Sequence, residues 1–116
     1  MKKALFTLLM FTSLVSFGQF SNLNMAEGLK KINQRSIVID VRTPAEYMKG
    51  HLPGAINIDW FSTDFNTSLE RIGKRKKIYV YCRSGKRSAK AAARLDSLGF
   101  KRVTNLKGGY KAYLEN

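Results

Sequence analysis

Lys77-Ile78-Tyr79-Val80-Tyr81-Cys82, followed by Arg83-Ser84-Gly85-Lys86-Arg87-Ser88, decides how this chain is read. After the opening lysine the first run is apolar at successive positions, so both of its faces are suited to burial. That pattern belongs to a strand inside a parallel sheet. The second run is polar, cationic and contains a glycine, which predicts a loop. Ala89 to Leu98 then places Ala91, Ala92, Leu95 and Leu98 on one side at helical spacing, with Gly99 as the stop. In an open α/β sheet, ligands gather beyond the carboxyl ends of the strands. Cys82 stands at that edge.

The surroundings of the Cys82 sulfur predict its chemistry. Arg83, Lys86 and Arg87 put three cations within five residues. Gly85 lets the backbone curl without a Cβ clash. A helix beginning near Ser88 turns its free N–H groups and positive dipole end back into the loop. A nest of backbone amides can form there. All three features favour thiolate over thiol, and a cysteine pKa near ~8.5 falls by one to several units in such settings. Each unit corresponds to roughly 1.4 kcal/mol between the protonation states. The same field attracts an anion and stabilises charge developing on it. The competing reading is a strand that merely ends in an inert cysteine with solvated cations beside it.

Outward from this stretch, strand and helix signals alternate. Asn24 precedes Met25, Leu29 and Ile32, spaced as one helix face, with Glu27 three residues on. Ser36 to Val41 is a β-branched strand. Thr43-Pro44-Ala45-Glu46 reads as a capping box with proline in the first turn, and Gly50 as the stop. His51 to Gly54 is a turn and Ala55 to Ile58 a short strand. Phe61, Phe65, Leu69 and Ile72 suggest one more helix face, closed by Gly73. Arg102 to Leu106 is the last strand, and Lys107-Gly108-Gly109 leads into a terminal helix carrying Tyr110 and Tyr113. The expected fold is α/β, a small parallel sheet with helices on both faces.

Composition limits the alternatives. The chain has 116 residues and a formal charge of +13. Its length suits one domain, and its hydrophobic fraction of 44% argues against disorder. One cysteine rules out an internal disulfide framework and a cysteine-rich zinc site; one histidine argues against a histidine-based metal centre. Met1-Lys2-Lys3, the uncharged apolar run Ala4 to Phe17 and the small residues Ser16 and Gly18 read as a secretory signal peptide over residues 1–18. Its apolar run is too short for a spanning helix, which needs about 20 residues. The expectation is a single mature domain over residues 19–116, periplasmic or secreted, with no stable membrane anchor after cleavage.

Four separated segments resemble the rhodanese-like, or sulfurtransferase, family. They are Ile37 to Tyr47, Gly50-His51-Leu52-Pro53-Gly54-Ala55-Ile56-Asn57-Ile58, Cys82-Arg83-Ser84-Gly85-Lys86-Arg87-Ser88, and Leu106-Lys107-Gly108-Gly109 with Tyr113 where that family usually has tryptophan. The resemblance covers Met25 to Tyr113. It implies a persulfide mechanism. The Cys82 thiolate takes the sulfane sulfur of a small anionic donor such as thiosulfate and passes it to cyanide or a thiol. Amides from Arg83 to Ser88 cradle the persulfide, the cationic side chains hold the donor, and no metal or organic cofactor is needed. Related phosphatases place an arginine six residues after the cysteine to clamp an oxyanion. Here Ser88 holds that place and Arg87 comes one earlier, which suits sulfur better than phosphate.

The remaining polar residues are expected to be structural. Arg42 should pair locally with an acid, with Glu46 the expected partner, fixing the loop after the strand alongside Asp40. His51 is expected to pack. Lys74-Arg75-Lys76-Lys77 reads as a solvated turn with no interleaved aromatics, and no nucleic-acid partner is expected. Two other functions stay open: a sulfane-sulfur carrier or persulfide-binding partner using the same Cys82, and an anion- or surface-binding module using residues 74–77.

Overall fold

The computed structural model describes residues 20–116, so the expected signal peptide at residues 1–18 lies outside the described residues. Five strands, β1 (Ser21–Asn24), β2 (Ile37–Asp40), β3 (Ile56–Asn57), β4 (Lys77–Tyr81) and β5 (Arg102–Lys107), form one sheet. The helices are α1 (Met25–Lys31), α2 (Pro44–Met48), α3 (Phe65–Ser68), α4 (Lys86–Ser97) and α5 (Gly109–Glu115). Every strand pair is parallel, in the order β1-β5-β4-β2-β3. β4 is therefore central. From β2 the chain moves outward to β3, and from β4 it moves the other way to β5. The order reverses between β2 and β4, which places a crevice at their carboxyl ends.

The two faces follow from strand alternation. Ile78 and Val80 of β4 join Ile39, Phe65, Leu69, Ala91, Ala92 and Leu95 in a core beneath α3 and α4. Tyr79 and Tyr81 join Met25, Val38, Leu52 and Leu106 on the other side, with Tyr47, Tyr110 and Tyr113 packed against them. Cys82 continues the even-numbered set, so its side chain lies on the α4 side.

Local chemistry explains most element ends. The Asn24 side chain accepts from the Glu27 amide and caps α1. Thr43 and Glu46 form the expected capping box of α2, with Pro44 in its first turn. Two readings need correction. The helix expected over Phe61 to Ile72 is only the single turn of α3, and Phe61 is 67% exposed. Asp59 takes the Phe61 amide and Ser62 takes the Asp64 amide. These side-chain bonds compete with helix formation before Phe65. α4 also starts earlier than expected, at Lys86, which leaves only residues 82–85 as loop. In addition, β1 pairs with β5 at the sheet edge; its polar sequence carries no strand periodicity.

Candidate active site

The loop after β4 folds back on its own sulfur. The Gly85 amide donates to Cys82 Sγ at 3.0 Å, and the cysteine residue is only 1% exposed. Gly85 also forms the N-cap of α4 at φ 118°, a conformation that residues with a Cβ rarely adopt. Ser88, in the first turn of α4, is buried and its hydroxyl reaches the Gly85 carbonyl at 3.1 Å. That hydroxyl has one proton, which serves either this carbonyl or the sulfur.

Burial alone would push the Cys82 thiol up. The Ser88 hydroxyl and the amides of Ser88, Gly85 and Ser84 outweigh it and hold the thiol below its ordinary value. The leading stabilisation therefore comes from backbone amides and one hydroxyl, and the Arg87 guanidinium adds a coulombic interaction with the sulfur. Of the features expected to favour thiolate, the amides and the Ser88 hydroxyl rank ahead of the side chains of Arg83, Lys86 and Arg87.

Arg87 is engaged elsewhere. Its two terminal nitrogens donate to the two Glu46 carboxylate oxygens at 2.6 and 2.9 Å. Glu46 also accepts from the Thr43 amide and hydroxyl. The Arg87 guanidinium, with help from Thr43, holds the Glu46 carboxyl down at about 2. The expected Arg42–Glu46 pair is thus replaced by Arg87–Glu46, which joins α2 to α4 beside the loop. Arg83 and Lys86 are exposed at the loop surface. Arg87 ties α2 to α4, while the side chains of Arg83 and Lys86 face solvent beside the loop.

Arg42 instead grips Asp40. Its Nε lies 3.0 and 3.1 Å from the two carboxylate oxygens and its Nη2 lies 2.7 Å from Oδ2, with both side chains almost fully buried. The proximity of an acid two residues back, already fixed on β2, decides this choice. The Arg42 Nη2 also donates to the Gly50 carbonyl at 2.7 Å, and its guanidinium lies 4.3 Å from the Tyr110 ring centre. The Tyr81 hydroxyl donates to Asp40 at 2.6 Å and accepts from the Leu52 amide. Burial and the Asp40 hydrogen bond keep that hydroxyl protonated. Residues of β2, β4, α5 and the segment after α2 are locked together at the rim that carries Cys82.

Residues passed over in the sequence complete the loop. The Tyr110 amide donates to the Cys82 carbonyl at 2.8 Å, and the Lys111 amide donates to the Arg83 carbonyl at 3.0 Å. The first turn of α5 satisfies the loop's carbonyls, which leaves its amides free to face the sulfur. A Cβ on Gly109 would collide with both carbonyls. The Gly108-Gly109 pair was the available signal for this close approach. Asn57 is a second such residue; its side-chain amide donates to the Asp40 and Arg42 carbonyls and pins the end of β2. His51 bonds the Tyr47 carbonyl and stacks on the Tyr47 ring, and Tyr113 stacks on Tyr110. Among the described residues, no three His, Cys, Asp or Glu side chains group as metal ligands.

A cavity of about 340 Å³ beside the loop is lined by Arg42, Glu46, Lys49, Arg83, Tyr110 and Lys111, among others. Three solvent-facing cations, Lys49, Arg83 and Lys111, surround this opening. The arrangement suits a nucleophilic sulfur that meets anionic reactants.

The Rhodanese-like domain family model matches residues 24–116. A sulfurtransferase of Allochromatium vinosum is 39% identical over 77 residues, 66% of this chain and 70% of that protein. Thiosulfate sulfurtransferase 16 of Arabidopsis thaliana is 38% identical over 88 residues, 67% of this chain and 73% of that protein. The crystal structure of a rhodanese-like domain protein from Staphylococcus aureus superposes with a TM-score of 0.72 at 27% identity, covering 81% of this chain and 91% of that one. The chain belongs to the family of rhodanese-like domains.

Proposed function

We propose that this protein is an exported sulfurtransferase of the thiosulfate type. The observation that carries the reading is the Cys82 sulfur, held by the Gly85 amide at 3.0 Å and biased toward thiolate by its own loop. The thiolate attacks the outer sulfur of thiosulfate. The sulfur–sulfur bond of the donor breaks, sulfite leaves with the electron pair, and Cys82 carries a persulfide anion. Cyanide or a thiol then attacks the terminal persulfide sulfur, and the Cys82 thiolate is regenerated as leaving group. Loop amides stabilise the anionic sulfur at every stage, and no proton has to move on the cysteine. Arg83, Lys86 and the cations around the opening attract the donor.

The experiment is thiocyanate formation from thiosulfate and cyanide. Turnover by the wild type and none by Cys82→Ser is the expected result. Equal rates in the two proteins would overturn the reading. A stable adduct of one sulfur on Cys82, found by mass spectrometry with negligible turnover, would replace it with a sulfane-sulfur carrier. Export is checked by fractionation: appearance of a processed chain outside the cytosol is expected, and a full-length cytosolic chain would remove that part of the proposal.

A further inference from the structure

The end of the sheet remote from Cys82 holds a second concentration of positive charge. A cleft of about 470 Å³ opens at the amino ends of the strands and is lined by Lys31, Arg35, Arg75, Lys76, Lys77 and Arg102. These come from three separate places: the exit of α1, the turn before β4, and the first residue of β5. The sequence alone pointed only to residues 74–77. The fold brings Lys31, Arg35 and Arg102 to join them.

No carboxylate answers this charge. All eight acidic residues lie within the described part of the chain, none lines the cleft, and none forms an ion pair with any of the six cations. The crowding has a cost that the fold does not relieve. Lys77 and Arg102 are direct register partners on adjacent strands, where like charges repel. Burial, then Arg102 and Lys31, push the Lys77 ammonium down. Yet Lys77 is held in place: its Nζ donates to buried Thr104 at 2.7 Å and lies 5.1 Å from the Tyr79 ring centre. Arg35 is also positioned, in a tight turn where its amide donates to the Asn33 side chain at 2.8 Å and the Ser36 amide to the Asn33 carbonyl.

We propose that this cleft binds an anion carrying two or more phosphate groups. Three of the six cations are arginines, whose planar forks match phosphate oxygens in pairs. The volume is that of a small-molecule site. The cleft is concave and local, whereas nucleic acid asks for an extended basic track with aromatic faces for bases. The one lining aromatic, Tyr79, is buried and already faced by Lys77. The phosphate groups belong either to a free oligophosphate or to lipid headgroups. Binding there is independent of sulfur transfer at the opposite end of the sheet.

The test is calorimetric titration of the full chain with inorganic tripolyphosphate at 0.15 M salt, together with sedimentation against phosphatidylglycerol vesicles. Arg75→Gln/Lys76→Gln changes two exposed cleft residues. Lys30→Gln/Lys90→Gln removes the same charge from elsewhere. At least a tenfold loss of tripolyphosphate affinity in the cleft variant, with less than a twofold change in the other, supports a free oligophosphate. The same pattern confined to vesicles supports lipid headgroups. Equal losses in both variants, or no saturable binding of either probe by the wild type, overturns the proposal. So does tighter binding of a DNA or RNA oligomer that survives the cleft substitutions. Thiocyanate formation in Arg75→Gln/Lys76→Gln is expected to match the wild type.

Discussion

The lowered pKa of the Cys82 thiol is set by groups within six residues of it. Three amides and the Ser88 hydroxyl compensate for burial that would otherwise favour the neutral thiol. Ser88→Ala removes one of them and leaves the Gly85 amide bond. The rate of Cys82 alkylation by iodoacetamide should then show its inflection at higher pH, nearer the ordinary ~8.5 of a free cysteine. Each unit of upward shift lowers the thiolate fraction near neutral pH by about tenfold. An unchanged profile would leave the amides as the whole of the effect. Arg83 and Lys86 to Ala should lower kcat/KM for an anionic donor and leave this profile largely in place, because the leading groups at the sulfur are the amides and the Ser88 hydroxyl.

At the scale of elements, the important tie is the one between α2 and α4. Glu46 and Arg87 hold the two helices together beside the loop with two charge-assisted hydrogen bonds. The Glu46 carboxyl is depressed from 4.5 to about 2 by folding. A depressed acid adds stability above its unfolded value, and that stability is lost as pH falls through the folded one. Glu46→Gln should therefore cost about 1 kcal/mol at pH 6, after allowance for solvent screening of a partly exposed pair. The gap to wild type should close as pH falls from 4.5 toward 2, measured by urea denaturation. A gap that stays constant with pH would assign the loss to packing instead. Gly109 marks a second contact between elements. Gly109→Ala forces α5 away from the Cys82 and Arg83 carbonyls, so a drop in both stability and turnover is expected, the former read by thermal unfolding.

For the whole molecule, the buried Asp40–Arg42 pair is the joint at which the sheet, α5 and the segment after α2 meet. Asp40→Asn keeps the shape and leaves a guanidinium buried without its counter-charge. The expected loss is about 3 kcal/mol in urea denaturation. A loss below about 1 kcal/mol would show that the Gly50 carbonyl and the Tyr110 ring satisfy Arg42 well enough. The charge distribution also belongs to this scale. Both ends of the sheet are cationic among the described residues, and Cys82 lies at the carboxyl end.

The strand–loop–helix around Cys82, the capping box at Thr43 and the parallel α/β order were legible in the residues themselves. Each depends on periodicity, glycine freedom or capping within a few positions. The extent of α3 was misread because Asp59 and Ser62 offer the backbone local bonds that the spacing of Phe61 and Phe65 conceals. β1 was missed because an exposed edge strand needs no apolar alternation. Tertiary structure alone decided which acid Arg87 takes. Arg87 and Glu46 are 41 positions apart, and through-space distance outranks nearness in sequence once α2 and α4 pack side by side. It also decided which loop amides, with the Ser88 hydroxyl, lead in stabilising the sulfur. Their direction follows from α5 occupying the loop's carbonyls, a contact between segments about 28 residues apart.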